Sequence, residues 1–293
     1  MQLRHVEYFV ATADAGSVSG AAARVHVTQP ALSRQLRQLE HDLGVTLFDR
    51  SAGRLTLSRT GDALLPAARR LLAAADDLAD AARFHAWGRL ERLTIAAPTV
   101  TLTDVVSPFV ATMSPEDPVV DVRGADGLDV AQMLRGGADL AIGTRRPPEP
   151  YAALELAVLP VWAYVAATDP WATRGRIGLD ELLERPLVLL PSTYTAREAL
   201  DAALAAHGSS YASVVEAGNG TIAQALAAAG RGVAVVSDDP RFDLVPLGID
   251  LDEGALSIQL VAGWDARGVA AATLAGIAER LGAWVLDRYG TVA

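Results

Sequence analysis

The sequence predicts a winged helix-turn-helix head, a long linker helix and a larger α/β domain, and three observations carry that prediction. Three apolar stripes of helical spacing crowd into residues 3–43, and two short strand-like segments bearing arginine follow at once. From residue 93 onward, short apolar runs alternate with helical stretches, as α/β architecture requires. Between these blocks lies one segment of helix-forming composition, residues 59–88, with a seven-residue apolar repeat.

Taken in order, Leu3, Val6, Phe9, Val10 and Ala13 form the first stripe, and Gly16 ends that helix. Val18, Ala21, Ala22 and Val25 form the second, whose small alanines let another helix approach closely. Leu32, Leu36, Leu39 and Leu43 line the third, with Thr28 as N-cap and Pro30 in the first turn, where a missing N–H costs little. Only His26 to Thr28 separate the second and third helices, which forces a sharp crossing of the helix-turn-helix kind. The exposed side of the third helix then carries Gln29, Ser33, Arg34, Arg37, Gln38 and His41, partners for base edges and phosphates rather than a Glu/Lys mixture. Residues 47–50 and 54–57 read as two strands around the turn Ser51-Ala52-Gly53, a wing bearing Arg50 and Arg54.

These pieces, AAARVHVTQPALSRQLRQLE at residues 21–40, LGVTLFDR at 43–50 and RLTLSRTG at 54–61, resemble the LysR-type transcriptional regulators in order and spacing. One departure is Leu57-Ser58-Arg59-Thr60-Gly61, where the family often has Leu-Thr-x-Ala-Gly. The resemblance implies a DNA-binding domain at 1–58, a linker and dimerisation helix at 59–88, and an effector-binding domain at 92–293. It also implies a two-lobed fold for that last domain, similar to type 2 periplasmic binding proteins, with lobe I at 92–163 plus 264–293 and lobe II at 164–263. The chain would cross out near Val165 and back near Leu260. The family further implies promoter DNA, a small-molecule effector and RNA polymerase as partners, and a homodimer or homotetramer. The residues expected on DNA are Thr28, Gln29, Pro30, Ser33, Arg34, Arg37, Arg50 and Arg54, with Arg34 and Arg37 on phosphate or guanine and Gln29 and Ser33 on base edges.

In the linker, Leu64, Ala68, Leu71, Ala75, Leu78 and Ala82 alternate in steps of four and three, a heptad seam suited to pairing with itself. Burial of this helix on its own effector domain is the plainer alternative. Pro66 lies inside it, and Gly88 to Arg92 would be a hinge.

Strands are expected at 93–97, 119–122, 139–143, 161–167, 187–190, 214–216, 232–236 and 256–263, and helices at 103–113, 128–135, 195–207, 221–229 and 269–289. In open α/β sheets ligands bind beyond the carboxyl ends of strands. Four such ends carry suitable polar residues: Thr99, Val100 and Thr101; Thr144 and Arg145; Ser192 and Thr193; Asn219 and Thr221. The hydroxyls and N–H groups of Thr99 to Thr101 could hold a carboxylate, or any of these residues could simply cap a helix. Arg145 and Arg146 read either as anchors for an anionic effector or as a solvated loop beside Pro147-Pro148.

The formal net charge is −10, which alone argues against nucleic acid, yet residues 1–70 hold nine Arg against six acids. The remainder is strongly acidic, so DNA would meet only the N-terminal face. All 25 basic residues are Arg, so their type says little about phosphate recognition. With no cysteine there is no disulfide and no thiol redox switch. No apolar run reaches membrane-spanning length and no signal segment is evident, so a cytoplasmic location and no membrane partner are expected.

No cofactor, metal site or catalytic residue is expected. No His/Glu/Asp cluster has metal-ligand spacing, G-x-S-x-G is absent, and His5, His26, His41 and His85 lie in the head or linker, with His207 near a helix end. Gly218-Asn219-Gly220-Thr221-Ile222-Ala223 does fit G-x-G-x-x-A, so a dinucleotide-dependent oxidoreductase stays as an alternative. Against it, Asp238 and Asp239 come sooner than the acidic residue the fingerprint wants. A small-molecule binding protein without regulatory activity is the other alternative.

Overall fold

The computed structural model describes residues 1–51, 54–87, 89–252 and 254–290. They form two compact units, one built on Met1–Ala86 and one on Trp87–Leu134 and Ala138–Ala293.

The first unit contains α1 (Leu3–Ala15), α2 (Val18–Arg24), α3 (Gln29–Leu43), β1 (Phe48–Ser51), β2 (Arg54–Leu57) and α4 (Arg59–Trp87). Val6, Phe9, Ala21, Ala22, Leu32, Leu36 and Leu39 are buried together, so the three stripes share one core. Phe9 meets Phe48 edge to face at 5.6 Å, which fixes the wing strand on α1. Two stripe positions differ from expectation: Leu3, in the first turn of α1, and Leu43 are exposed. At Leu43 the cause is the helix end. Gly44 adopts the left-handed conformation, and Val45 N bonds to Glu40 O, which brings Val45 rather than Leu43 onto the core.

β1 and β2 pair antiparallel, with Arg50 opposite Leu55 and Ser51 opposite Arg54. The turn residues Ala52 and Gly53 lie outside the described residues. Ser58 then ties the wing to α4: its Oγ donates to Thr46 O (2.6 Å) and accepts from Gly61 N (2.9 Å). Serine therefore does here the capping work of a threonine hydroxyl. A Cβ on Gly61 would lie 2.1 Å from Leu47 O, so this glycine is required by the close approach of α4 to the wing.

The second unit runs β3 (Arg92–Ala97), α5 (Thr99–Thr101), a π-helical turn (Leu102–Val106), α6 (Ser107–Val110), β4 (Val119–Gly124), α7 (Val130–Arg135), β5 (Leu140–Gly143) and β6 (Tyr151–Pro160). It continues through β7 (Trp162–Ala166), β8 (Arg176–Gly178), α8 (Leu179–Leu183), β9 (Leu187–Leu189), α9 (Thr195–His207), β10 (Val214–Glu216) and α10 (Gly220–Ala228). It closes with β11 (Val233–Val236), β12 (Leu244–Asp250), β13 (Ser257–Asp265) and α11 (Ala271–Tyr289). Two mixed sheets result, β4-β3-β5-β13-β6 and β10-β9-β11-β7-β12-β8, each with its own buried apolar cluster.

Sheet membership moves the expected lobe boundaries. β6 belongs to the first sheet and β7 to the second, so the chain crosses at Val161 rather than near Val165. It returns at Leu256, because β13 lies wholly in the first sheet and not in 164–263. The two crossings are hydrogen-bonded to each other, Val161 N to Leu256 O at 2.9 Å. The first runs through continuous apolar sequence, where periodicity carries no mark of a change of sheet.

The helix expected at 103–113 instead begins at Thr99 and ends at Val110. Pro108 cannot donate the N–H that a regular helix would send to Asp104 O, and the π-helical turn takes up the mismatch. That carbonyl accepts from the Tyr289 hydroxyl at 3.0 Å.

Gly61→Ala is expected to lower the stability of the head by about 1–3 kcal/mol through overpacking against Leu47. A circular-dichroism melt of the full chain should show the loss as an earlier onset of unfolding.

Candidate DNA-binding face and effector cleft

The exposed face of α3 is assembled from the turn that precedes it. His26 takes a positive φ of 54°, and Thr28 occupies the N-cap position without a side-chain capping bond. Thr28, Gln29, Pro30, Arg34 and Arg37 are exposed, and Ser33 is half-buried. Neither Arg34 nor Arg37 pairs with a carboxylate among the described residues. Gln38 is engaged, donating to Asp42 at 2.7 Å. The strands carrying Arg50 and Arg54 are in place, but their side chains lie outside what is described. One contributor was not anticipated. Glu40 Oε1 accepts from Leu47 N (2.8 Å) and Phe48 N (3.2 Å), so α3 sets the position of the wing.

In α4, Leu64, Leu71 and Leu78 are exposed at intervals of seven, whereas Ala68, also placed in the seam, packs with Leu65 and Leu72 onto the core of the head.

Between the two sheets of the second unit lies a cleft of about 620 Å³. Thr99, Val100, Thr101, Thr144, Arg145, Thr193, Asn219 and Thr221 all line it, so the four strand ends converge. Ser192 does not line it: a turn closes from Tyr194 N to Pro191 O (3.0 Å), and Ser192 sits exposed on that turn. Asn219 does double duty, because its Oδ1 caps α10 by accepting from Ile222 N at 2.9 Å.

The seat at Thr99 is not free. Asp126 accepts from Thr99 N at 2.8 Å and from Thr99 Oγ1 at 2.6 Å, taking the position that an effector carboxylate was expected to fill. Arg145 likewise has a partner, with Nη2 lying 3.4 Å from both carboxylate oxygens of Glu198. Arg146 reaches Glu155 at 3.9 Å. The anion-anchoring groups read from the sequence therefore already face carboxylates of the chain itself.

A second cluster, Asp104, Asp239, Arg241 and Arg288, ties one lobe to the other. Asp104, on the π-helical turn of the first lobe, accepts from Asp239 N (2.9 Å) and Arg241 Nη2 (2.7 Å) on the loop after β11. Arg288, at the end of α11, meets Asp239 at 2.7 Å in return. Gln224 on α10 fixes that loop, accepting from Arg241 N and donating to Asp239 O. Sequence reasoning missed this cluster. Its signal was the run Asp238-Asp239-Pro240-Arg241 just after a strand end.

Asp238 lies beside it, 5% exposed, with Arg241 at 3.9 Å. Burial, then the charge of Asp104, push its carboxyl up to about 6, against the opposing pull of Arg241. Its oxygens would stand 2.1 Å from a Cβ on Gly220, which explains the second glycine of the G-x-G-x-x-A match. A carboxylate, not a pyrophosphate, occupies the space that glycine opens, which removes the support for the dinucleotide reading.

Residues 3–62 match the family model of the bacterial regulatory helix-turn-helix protein, lysR family, and residues 88–281 match that of the LysR substrate binding domain. The regulator CfxR of Cupriavidus necator is 30% identical over 299 aligned positions, covering 98% of this chain and 92% of that one. TfdT of Cupriavidus pinatubonensis is 34% identical over 198, covering 65% of this chain and 86% of that one. Among solved structures, CbnR, a LysR family regulator, superposes with TM-score 0.70 at 24% identity over 96% of this chain and 99% of that one. Full-length OxyR from Pseudomonas aeruginosa gives 0.66 at 21% identity, covering 96% and 94%.

Because Asp238 holds its proton more tightly folded than unfolded, its protonated form favours the native state. That contribution fades as pH rises from about 4, the ordinary Asp value, through about 6. Asp238→Asn is therefore expected to raise stability above pH 6 by about 1–3 kcal/mol and to change it little near pH 4. Denaturant midpoints measured across that range would check it.

By its two matched domains and its full-length likeness to CfxR, the chain belongs to the LysR family of transcriptional regulators, with a DNA-binding helix-turn-helix head and an effector-binding domain.

Proposed function

We propose that the protein is a cytoplasmic homodimer or homotetramer that binds promoter DNA through paired heads and is switched by a small molecule in the cleft of residues 92–293. The observation that carries this reading is the exposed α3 face, in which Arg34 and Arg37 have no carboxylate partner among the described residues, on the second helix of a helix-turn-helix. In a chain with so large an acidic excess, unpaired arginine on such a helix suits phosphate and base-edge contact. Gln29 and Ser33 would contact base edges, and Arg34 and Arg37 phosphate or guanine. Thr28 and Pro30 would set the helix start against the backbone, and Arg50 and Arg54 would hold the backbone beside the wing.

Dimerisation through α4 is supported by Leu64, Leu71 and Leu78, exposed at heptad spacing on residues 59–88. Heads on residues 1–58 would then reach successive major grooves. An effector lining up with Thr99, Val100, Thr101, Thr144, Arg145, Thr193, Asn219 and Thr221 would change how the heads are held, and with it DNA bending and contact with RNA polymerase. The output is regulated DNA binding, with no turnover of the effector.

Recovery and sequencing of genomic fragments bound by the purified protein would test the reading and supply the operator. On that operator, Arg34→Ala should lose about 1–3 kcal/mol and relax one base position if the residue reads a base. A small loss shared by all sequences would make it a phosphate contact. Affinity should fall steeply as salt rises, and indifference to salt would sink the electrostatic account.

Leu71→Glu combined with Leu78→Glu should shift the protein to smaller species in sedimentation velocity and weaken operator binding, while far-UV circular dichroism stays unchanged.

A further inference from the structure

The charge inventory of the cleft points away from an anionic ligand. Six carboxylates and three arginines line it. Each of those arginines already faces a carboxylate: Arg145 with Glu198 (3.4 Å), Arg146 with Glu155 (3.9 Å) and Arg241 with Asp104 (2.7 Å). The amide and hydroxyl of Thr99, the donors best placed for an incoming carboxylate, are spent on Asp126. Any anion entering at that end must displace a charged group that the chain supplies itself.

The carboxylates, by contrast, are not all matched. Asp126 has the neutral donors of Thr99, and no arginine reaches it among the described residues. Asp238 lines the cleft 5% exposed; its backbone carbonyl accepts from the Tyr164 hydroxyl (2.6 Å), but among the described residues no other residue donates a hydrogen bond to its carboxylate, and Arg241 stands off at 3.9 Å. That guanidinium is already committed to Asp104 and to Asp239 O. Such a carboxylate is costly unless a cation or donor reaches it. Asp126, Asp238 and Tyr194 line the same cavity, and the Tyr194 hydroxyl is held there by donating to Gly218 O at 3.1 Å. Tyr194 and Trp162 also line the cavity and offer aromatic faces, a second means of holding a cationic nitrogen.

We propose that the effector is a small organic cation, an amine or guanidine protonated at neutral pH, whose charged nitrogen is held by Asp238 and Asp126 beside Tyr194. Asp126 then has two roles: it fills the seat at Thr99 as a built-in carboxylate, and it turns that end of the cleft from anion-binding to cation-binding. This rests on the cleft being the effector site.

The test uses the full-length protein near neutral pH at constant ionic strength. Thermal shift and titration calorimetry would be run with putrescine, agmatine and tyramine against the carboxylates adipate and hydroxyphenylacetate, which match two of them in skeleton. At least one amine is expected to raise the melting temperature by several degrees and to alter operator binding. Asp238→Asn, which removes the charge while keeping the shape, should weaken that amine about tenfold or more, a difference of roughly 1.4 kcal/mol. Asp126→Asn should weaken it less, because its partner at Thr99 remains. A carboxylate that binds where no amine does would overturn the cationic class and leave the cleft reading standing. An amine whose affinity is the same in wild type and Asp238→Asn would overturn Asp238 as the group that holds the charge. If neither class shifts melting while the protein still binds its operator, the cleft reading falls along with the cation.

Discussion

The buried carboxylate of Asp104 is the constraint on which the shape of the effector domain depends. Taking a charge out of water costs several kcal/mol unless strong partners replace the water, and those partners come from the other lobe. Asp239 N and Arg241 Nη2 meet the two oxygens at 2.9 and 2.7 Å, so neither lobe can satisfy this group alone. The local backbone is adapted to the task. A proline at 108 leaves the 104 carbonyl without a helical donor, and Tyr289 from α11 supplies one. Together with the paired crossings at Val161 and Leu256, this contact fixes the two lobes at separate places, and the cleft is what remains between them.

A second contact between the lobes is of another kind. Arg145 and Glu198 are 74% and 44% exposed and only just within reach, so water screens them and their tie is weak, of the order of 1 kcal/mol or less. Among the described residues the lobes are thus joined by a buried, hydrogen-bonded tie at Asp104, with the Arg288–Asp239 pair beside it, and by a loose, solvated tie at Arg145. Motion of the lobes that keeps Asp104 satisfied costs little, and motion that breaks it leaves an unpaired buried charge. A ligand binding between them acts on the cheap motion first.

The head was legible in the sequence almost to the residue, because each of its signals is local. Helical spacing gave α1 to α3, and Gly16 and Gly44 mark their ends with left-handed caps. Its two exceptions, Leu3 and Leu43, lie at helix ends, where periodicity stops being informative. In the effector domain, most strands and all the longer helices were legible, whereas β6, β8, β12 and α8 were not. β6 runs into β7 with one residue between them, so a continuous apolar stretch conceals a change of sheet. The site divides in the same way. The hydroxyl-bearing strand ends could be read one at a time. Asp104 and Asp126 could not, because their meaning lies in partners 27 to 137 residues away.

Gly220 shows why a short motif can be correct in its sterics and wrong in its chemistry. A glycine at the second position of G-x-G-x-x-A signals that something must approach the helix start more closely than a Cβ permits. That requirement holds here, since the nearest carboxylate oxygens stand 2.1 Å from where the Cβ would be. What approaches is Asp238, supplied from the end of β11 by the fold itself. A negatively charged pyrophosphate and a negatively charged side chain make the same demand on the backbone and leave the same pattern in the sequence. Only the residue that fills the space tells them apart, and here it is Asp238.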